Sequence, residues 1–215
     1  MIVLADNDII LKLAQCDLLD DLPASLGQQW TDIFITPEAK YQLLPKKPPS
    51  KALNKCGNEE TLARLTAFLE KTQTLPEVQN TSLLTLLSDI DGIDGGEKFL
   101  FAAAVETDDP LLITGDKRAL RALLEHQHSL PTVFSALQSA VITFETAILL
   151  VMRKLGFAIV KQKLLGSPKP DGTLRLVLKS ETEEDNFVEG LCSFSKDITP
   201  LLAFKQYLPP QLNQD

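Results

Sequence analysis

Six carboxylate residues stand shortly after an apolar run or at the start of a helical pattern: Asp6, Asp8, Glu38, Asp94, Glu97 and Asp116. Carboxylates that are held close together repel one another unless a positive charge lies among them. Mg²⁺ and Mn²⁺ suit this purpose because they prefer oxygen ligands and retain several waters. Such ions can activate a water and stabilise charge on a phosphate. If these side chains meet in space, they form a site suited to phosphodiester hydrolysis.

The elements that must bring these acids together are short apolar segments. Four of them predict strands that are buried on both faces of a parallel sheet: residues 2–5, 33–35, 111–113 and 140–144. Because helical patterns separate these segments, the sequence predicts an α/β fold, namely a doubly wound parallel sheet with helices on both faces. The working site of such a sheet lies at the carboxyl ends of its strands, which is where the acids occur.

Helices are marked by their first residues and by their apolar patterns. Asp8, Asn58 and Asp116 are candidate N-caps of helices that begin just after them. Residues 97–106 predict a helix that is buried over most of its circumference. The apolar run at 147–152 is too short to cross a bilayer and predicts a buried helix face.

Two domains are expected, a core at residues 1–150 and a C-terminal α+β extension at residues 151–215 that packs on it. In the extension, Leu174, Leu176 and Leu178 alternate after the turn sequence Pro170-Asp171-Gly172 and predict a strand. The stretch PKKPP at residues 45–49 predicts a break between two helices.

The order of the acidic motifs resembles that of the PIN-domain family of metal-dependent nucleases, which includes the toxin ribonucleases of bacterial toxin–antitoxin pairs. The matching segments are VLADNDII, ITPEAK, DGGEKFLFAAA and LLITGDKRAL. The resemblance covers about residues 1–150, and the D-x-G-E form of the third motif is similar to one toxin-like branch of the family.

This resemblance implies a nuclease that acts on RNA more readily than on DNA, with Mg²⁺ or Mn²⁺ as cofactor. It implies that Asp6, Glu38, Glu97 and Asp116 are the catalytic and metal-binding acids, with Asp94 as a fifth metal ligand. It also makes an antitoxin partner and a homodimer expectations for this chain. Asp8 departs from the family pattern, since many members carry Asn there. An acid at this position would either be a ligand or repel substrate phosphate, and Asp8 is a weak candidate for substrate binding.

Weaker candidates for substrate contacts lie beside Asp116: Thr114, Lys117 and Arg118. A group of five lysines is a further candidate for contact with a nucleic-acid backbone, although lysine-rich loops are more often only solvated surface. Its members are Lys40, Lys46, Lys47, Lys51 and Lys55. His126 and His128 are interpreted as residues at a helix C-terminus and not as metal ligands.

Each acid also has a purely structural explanation. Asp94 and Glu97 fit a helix capping box, and Thr36-Pro37-Glu38 is an ordinary helix start. The hypothesis of a site therefore depends on the whole set of acids occurring in the order of the family motifs, and on no single residue.

Two other functions stay open. Asp6-Asn7-Asp8 also fits a haloacid-dehalogenase-like phosphohydrolase, in which Asp6 would be the covalent nucleophile and Asp8 a general acid. That hypothesis leaves Glu38 and the D-G-G-E segment unexplained. The fold could also serve as a non-catalytic binding module whose acids only cap helices, and binding of Mn²⁺ would separate this case from an enzyme.

Composition limits the class of protein. A net charge of −8 over 215 residues argues against binding of nucleic acid by bulk electrostatics, although a carboxylate-built metal site is itself acidic. Three separated cysteines indicate neither a disulfide framework nor a zinc site. Without a basic leader or a long apolar run, a cytoplasmic protein that does not contact a membrane is expected.

Overall fold

The computed structural model describes residues 2–46 and 49–213. Five strands in this part of the chain form one sheet: β1 (Ile2–Ala5), β2 (Ile33–Ile35), β3 (Gln73–Thr74), β4 (Pro110–Ile113) and β5 (Val141–Ile142). Every neighbouring pair is parallel, and the order across the sheet is β3-β2-β1-β4-β5. From the central β1 the chain thus winds outward to one edge and then to the other, as in a doubly wound sheet.

The α-helices of the described residues, in chain order, are α1 (Asn7–Gln15), α2 (Asp21–Ser25), α3 (Ala39–Leu43), α4 (Pro49–Cys56), α5 (Glu59–Lys71), α6 (Thr81–Ser88), α7 (Gly95–Val105), α8 (Lys117–Glu125), α9 (Pro131–Leu137), α10 (Phe144–Leu155), α11 (Phe157–Leu165), α12 (Gly172–Val177) and α13 (Glu184–Ser193). Short 3₁₀ helices occupy Trp30–Asp32, Lys196–Leu201, Lys205–Tyr207 and Pro210–Leu212.

The sheet is covered on both faces. Val3, Leu4 and Ala5 of β1 are all buried, although successive side chains of a strand point to opposite sides. Helix α7 contacts β1 and β4, while α1 contacts α5 and α10. The predicted parallel α/β sheet is therefore confirmed. Its register aligns Ala5 with Ile35 on one side and with Ile113 on the other, so the chain leaves β1, β2 and β4 at one common edge.

The strand predictions agree with the structure except at the edges of the sheet. The predictions at 2–5 and 33–35 match β1 and β2, and the one at 111–113 falls within β4. The predicted strand at 140–144 is shorter in the structure, because Thr143 caps α10 and ends β5 at Ile142. The edge strand β3 was not predicted, since its two residues are exposed and polar.

Helix α10 is the buried centre of the C-terminal half. Its residues from Phe144 to Met152 are all buried, which confirms the buried helix face predicted at 147–152. Helix α10 is buried over this whole length because α2, α11 and α13 all pack on it. The predicted boundary at residue 150 lies inside α10, and the helix ends before Gly156, whose φ of 86° favours glycine.

The predicted α+β character of the extension is wrong for the residues that the structure describes. From Phe157 to Asn213 they form helices and turns, apart from a single bridge between Leu202 and Val141. The predicted strand at Leu174–Leu178 is helix α12. Asp171 accepts a hydrogen bond from the Thr173 N–H and starts a helix, so Leu174 and Leu178, four residues apart, are both buried and Leu176 is exposed.

Two predicted helix starts are displaced. Asp6, and not Asp8, is the N-cap of α1, and Glu38 precedes α3, which begins later than the Thr36-Pro37 sequence predicts. The expected break at residues 45–49 lies partly outside the described residues. Within the described chain, no helix combines the length and apolar character that a membrane crossing requires.

Candidate metal centre

An open cavity of about 900 Å³ lies at the edge of the sheet where the strands end. All six acids singled out from the sequence line it: Asp6, Asp8, Glu38, Asp94, Glu97 and Asp116. The parallel register explains this arrangement, because Asp6 and the β4–α8 turn follow the aligned residues Ala5 and Ile113. The Asp6 N–H donates to the Ile113 carbonyl at 2.9 Å and so fixes the two exits side by side.

Three of the acids come together most closely. Asp94, Glu97 and Asp116 each place one carboxylate oxygen within 4.8 Å of the corresponding oxygens of the other two, so the group could hold a metal ion. Asp94 was expected only as a fifth ligand. Among the described residues this tight group contains neither Asp6 nor Glu38, although both line the same cavity.

Helix starts position Asp94 and Asp116. The Oδ1 of Asp94 accepts hydrogen bonds from the N–H groups of Gly96 at 2.7 Å and Glu97 at 3.3 Å, which makes Asp94 the N-cap of α7. The Oδ1 of Asp116 likewise accepts from Arg118 and Ala119 at the start of α8. Backbone amides thus fix both carboxylates in place.

Glu97 is the buried member of the group. It is only 5% exposed, and its Oε2 has no hydrogen-bond partner among the described residues. In a capping box the Glu97 side chain would accept a hydrogen bond from the Asp94 N–H, and Oε2 accepts no such bond. A buried carboxylate oxygen without a partner is costly in a folded protein. A cation bound between Glu97 and its two acidic neighbours would supply the missing partner.

Asp6 is partly buried at the end of β1. Burial is the largest influence on its pKa and raises it above the ordinary value of 3.8. Hydrogen bonds from the N–H groups of Asp8 and Asn7 act in the opposite direction, and the charges of Asp8 and Asp94 raise the pKa further. Asp6 therefore feels the negative potential of the cluster without belonging to its closest group.

Glu38 and Asp8 lie nearer to solvent. Both are exposed, and Glu38 precedes α3 without a side-chain capping bond. Asp8 forms an ion pair with Lys12 at 2.7 Å, one turn further along α1. Lys12 also pairs with Asp171 of the extension at 3.0 Å. A lysine thus already compensates the charge of Asp8, unlike that of Glu97.

Two of the three predicted substrate contacts next to Asp116 form buried contacts within the protein. Thr114 is 1% exposed, and its hydroxyl accepts a hydrogen bond from the Asp116 N–H at 3.1 Å, which positions the turn. Lys117 forms an ion pair with the buried Glu145 and lies over the ring of Phe194. Arg118 is 70% exposed, with its Nη2 3.9 Å from the Asp116 Oδ2.

Two further predictions concern basic residues. Of the lysine group, Lys55 lines the cavity and donates to the Gln42 carbonyl at 2.8 Å. Lys47 lies outside the described residues. His126 is the C-cap of α8, as predicted, and its Nδ1 lies 3.0 Å from the Ala122 carbonyl.

Several cavity residues were missed by sequence reasoning. The Asn7 amide donates to the Gln42 side chain at 2.7 Å, and both residues line the cavity together with Lys98 and Phe99. Phe99 is 45% exposed, although α7 is buried over most of its circumference as predicted, with Leu100 to Ala104 all buried. The sequence does not mark Phe99 as exposed, because it is the first residue of the continuous apolar run from Phe99 to Val105.

The fold and the cavity define an α/β protein with a parallel sheet and an acidic, carboxylate-lined cleft at the strand ends. No protein-family model, no curated protein and no solved structure matches this chain. The resemblance to PIN-domain nucleases consequently rests on the sequence motifs alone, and the chemistry of the cleft must be argued from its own residues.

Proposed function

We propose that this protein is a divalent-metal-dependent nuclease that hydrolyses phosphodiester bonds. The observation that supports it best is the meeting of Asp94, Glu97 and Asp116, in which the buried Glu97 Oε2 has no partner among the described residues. The donors are carboxylate oxygens only, which fits Mg²⁺ or Mn²⁺ better than softer metals. The preference for RNA over DNA, and a toxin-like role with an antitoxin partner, rest on the resemblance to the PIN-domain family.

The charge balance of the cavity supports a metal requirement. Six carboxylates line it, against two lysines, Lys55 and Lys98. A phosphate backbone that approached these side chains alone would be repelled. A divalent cation held by Asp94, Glu97 and Asp116 would offset this charge, lower the pKa of a water and stabilise negative charge on the phosphate.

Asp6 is suited to accept a proton in this reaction. It lines the same cavity and is partly buried there, beside the carboxylates that would hold the ion. Glu38, exposed on the rim, would complete the acidic lining. The two lysines at the same cavity offer contacts for flanking phosphates.

The competing phosphohydrolase hypothesis is supported less well. It needs Asp8 as a general acid beside Asp6, but Asp8 is exposed and paired with Lys12. The Asp8 Oδ2 is thus already engaged by the Lys12 ammonium at 2.7 Å. The hypothesis also leaves Asp94 and Glu97 unused. Hydrolysis of p-nitrophenyl phosphate with trapping by fluoroberyllate would favour it over a nuclease.

The test is cleavage of an end-labelled RNA by the purified protein in Mn²⁺ or Mg²⁺ and in EDTA. We expect cleavage only with the metal, and a loss of about a hundredfold or more in Asp116→Asn, which keeps a side chain able to cap α8. Asp185→Asn, an exposed position on α13, is the matched control. Cleavage that survives EDTA or the Asp116 substitution would contradict the proposal. Absence of both cleavage and Mn²⁺ binding would leave the binding-module role.

A further inference from the structure

Phe99 stands out among the exposed side chains. The large hydrophobic side chains that are exposed in the described part of the chain are Tyr41, Leu86, Phe99, Ile159, Leu165, Leu176 and Tyr207. Of these seven, only Phe99 lines the acidic cavity. Single exposed apolar residues on a surface need no explanation, but an aromatic ring in the wall of a polar cleft is a candidate ligand contact.

The position of Phe99 relates it to the candidate metal ligands. It is two residues after Glu97 on α7, so the two side chains leave the helix about 200° apart, and both nevertheless line the same cavity. Glu97 is buried at the acidic cluster, whereas the Phe99 ring is exposed in the same cavity. A molecule that reaches the cluster through the cavity can therefore also contact the ring.

Lys98 gives this part of the cavity a positive charge. Its Nζ lies 5.8 Å from the centroid of the Phe99 ring and donates to the Ser88 hydroxyl at 3.0 Å. Lys98 also lines the cavity. An aromatic face with a fixed cation beside it fits a ligand that has a flat ring attached to an anion, and a nucleotide has both parts.

We propose that Phe99 is a stacking surface for a nucleobase, with Lys98 contacting a neighbouring phosphate, so that the protein binds an unpaired nucleotide beside the acidic cluster. This inference rests on the proposed nuclease function and adds a specificity-determining residue to it. In a duplex both faces of each base are already stacked, so a base-paired strand cannot use the ring without unstacking.

The experiment measures binding of a short single-stranded RNA that contains 2-aminopurine, whose fluorescence is quenched on stacking. Ca²⁺ replaces the catalytic metal, and a gel run afterwards checks that the RNA is intact. We expect quenching with the wild type and with Phe99→Trp. Phe99→Ala and Phe99→Leu should lose the quenching and bind about 5- to 150-fold more weakly, the range expected for one base–aromatic stack.

Leu165→Ala is the matched control, because Leu165 is 48% exposed and lies on α11 outside the cavity. It should bind like the wild type. A duplex of the same sequence should bind more weakly and show no dependence on residue 99. Equal binding by the wild type and Phe99→Ala would overturn the inference, as would a change only in oligomeric state, which would assign the ring to a protein contact.

A parallel cleavage assay in Mn²⁺ separates the two proposals. Cleavage that is unaffected by Phe99→Ala would leave the nuclease function standing and overturn the stacking role. Phe99-dependent quenching without any cleavage would support nucleotide binding and contradict the nuclease. If the protein neither binds nor cleaves the RNA, both proposals are wrong.

Discussion

Asp94 and Asp116 cap two different helices, yet each places a carboxylate oxygen within 4.8 Å of the other. In both residues Oδ1 accepts two backbone N–H groups, and Oδ2 takes no part in the cap. The helix-cap explanation and the metal-site explanation are thus compatible, because the cap uses only one of the two oxygens of each carboxylate. The positive ends of α7 and α8 also stabilise two carboxylates that would otherwise repel each other.

Glu97→Gln tests whether the buried carboxylate binds a metal. The substitution keeps the size of the side chain and removes the charge beside Asp94 and Asp116. We expect the affinity for Mn²⁺, measured by titration calorimetry, to fall by at least about tenfold, since even residues that only support metal ligands contribute this much. Glu189→Gln, an exposed position on α13, is the control. Unchanged affinity in Glu97→Gln would remove Glu97 from the metal site.

Asp6→Asn tests the cost of charge at the end of β1. The pKa of Asp6 is raised in the folded protein, so its carboxylate destabilises the fold above that pKa, and the effect vanishes as the pH falls towards 3.8. Without metal at pH 7 the variant should therefore melt at a higher temperature than the wild type, by about 2–4 °C for each kcal/mol relieved. The difference should shrink on acidification, and thermal melts across this pH range measure it.

Excess Mn²⁺ should reverse the order of these two melting temperatures. A ligand stabilises whichever protein binds it more tightly, and the Asp6 carboxylate adds favourable charge for a cation in the cavity. The wild type should then gain more than Asp6→Asn. An identical gain in both proteins would show that Asp6 does not contribute to metal binding.

The central strands could be predicted from the sequence because burial on both faces leaves short runs such as Ile2–Ala5 without polar interruption. The exposed edge strand Gln73–Thr74 has no such pattern.

The prediction of a strand where the structure has helix α12 failed for a different reason. Leu174, Leu176 and Leu178 satisfy a period of two, but Leu174 and Leu178 also satisfy the i, i+4 spacing of a helix, and the cap at Asp171 decides between them.

The cavity acids were predictable because parallel strands release the chain at one edge of the sheet. Which acids meet most closely was not, since that depends on how α7 is oriented against β1 and β4. Asp94 therefore joins the closest group in place of Asp6. Ion pairs between distant segments were also beyond sequence reasoning, so the pairing of Lys117 with Glu145 could not be predicted.

Lys117→Met tests the structural role of that pair. Glu145 is 2% exposed, and the loss of its partner would leave an uncompensated buried charge. Breaking a buried pair in this way costs about 3–5 kcal/mol, which corresponds to a fall of about 6–20 °C in melting temperature for a chain of this size. Adding Glu145→Gln should restore most of the loss. If Lys117 served only substrate phosphate, the single variant would melt like the wild type and only substrate affinity would change.

Asp171→Asn tests how the extension is held to the core beside the cavity. Burial alone would raise the pKa of Asp171, but the hydrogen bond and charge of Lys12 outweigh it and hold the pKa below 3.8. The ionised carboxylate therefore stabilises the fold above pH 3.8, and this contribution is lost as the pH falls through the lowered pKa. Asn can still accept the Thr173 N–H and cap α12, so the variant removes the charge and leaves the cap. We expect a loss of about 1 kcal/mol near neutral pH, or about 2–4 °C in melting temperature.

Asp8→Asn is the control, because Asp8 is the other ion-pair partner of Lys12. The Asp8 side chain is 58% exposed, against 14% for Asp171. Asp8→Asn should therefore have the smaller effect on stability, because water screens the ion pair of Asp8. Equal losses of stability in the two variants would show that the ion pair of Lys12 with Asp171 stabilises the fold no more than its ion pair with Asp8 does.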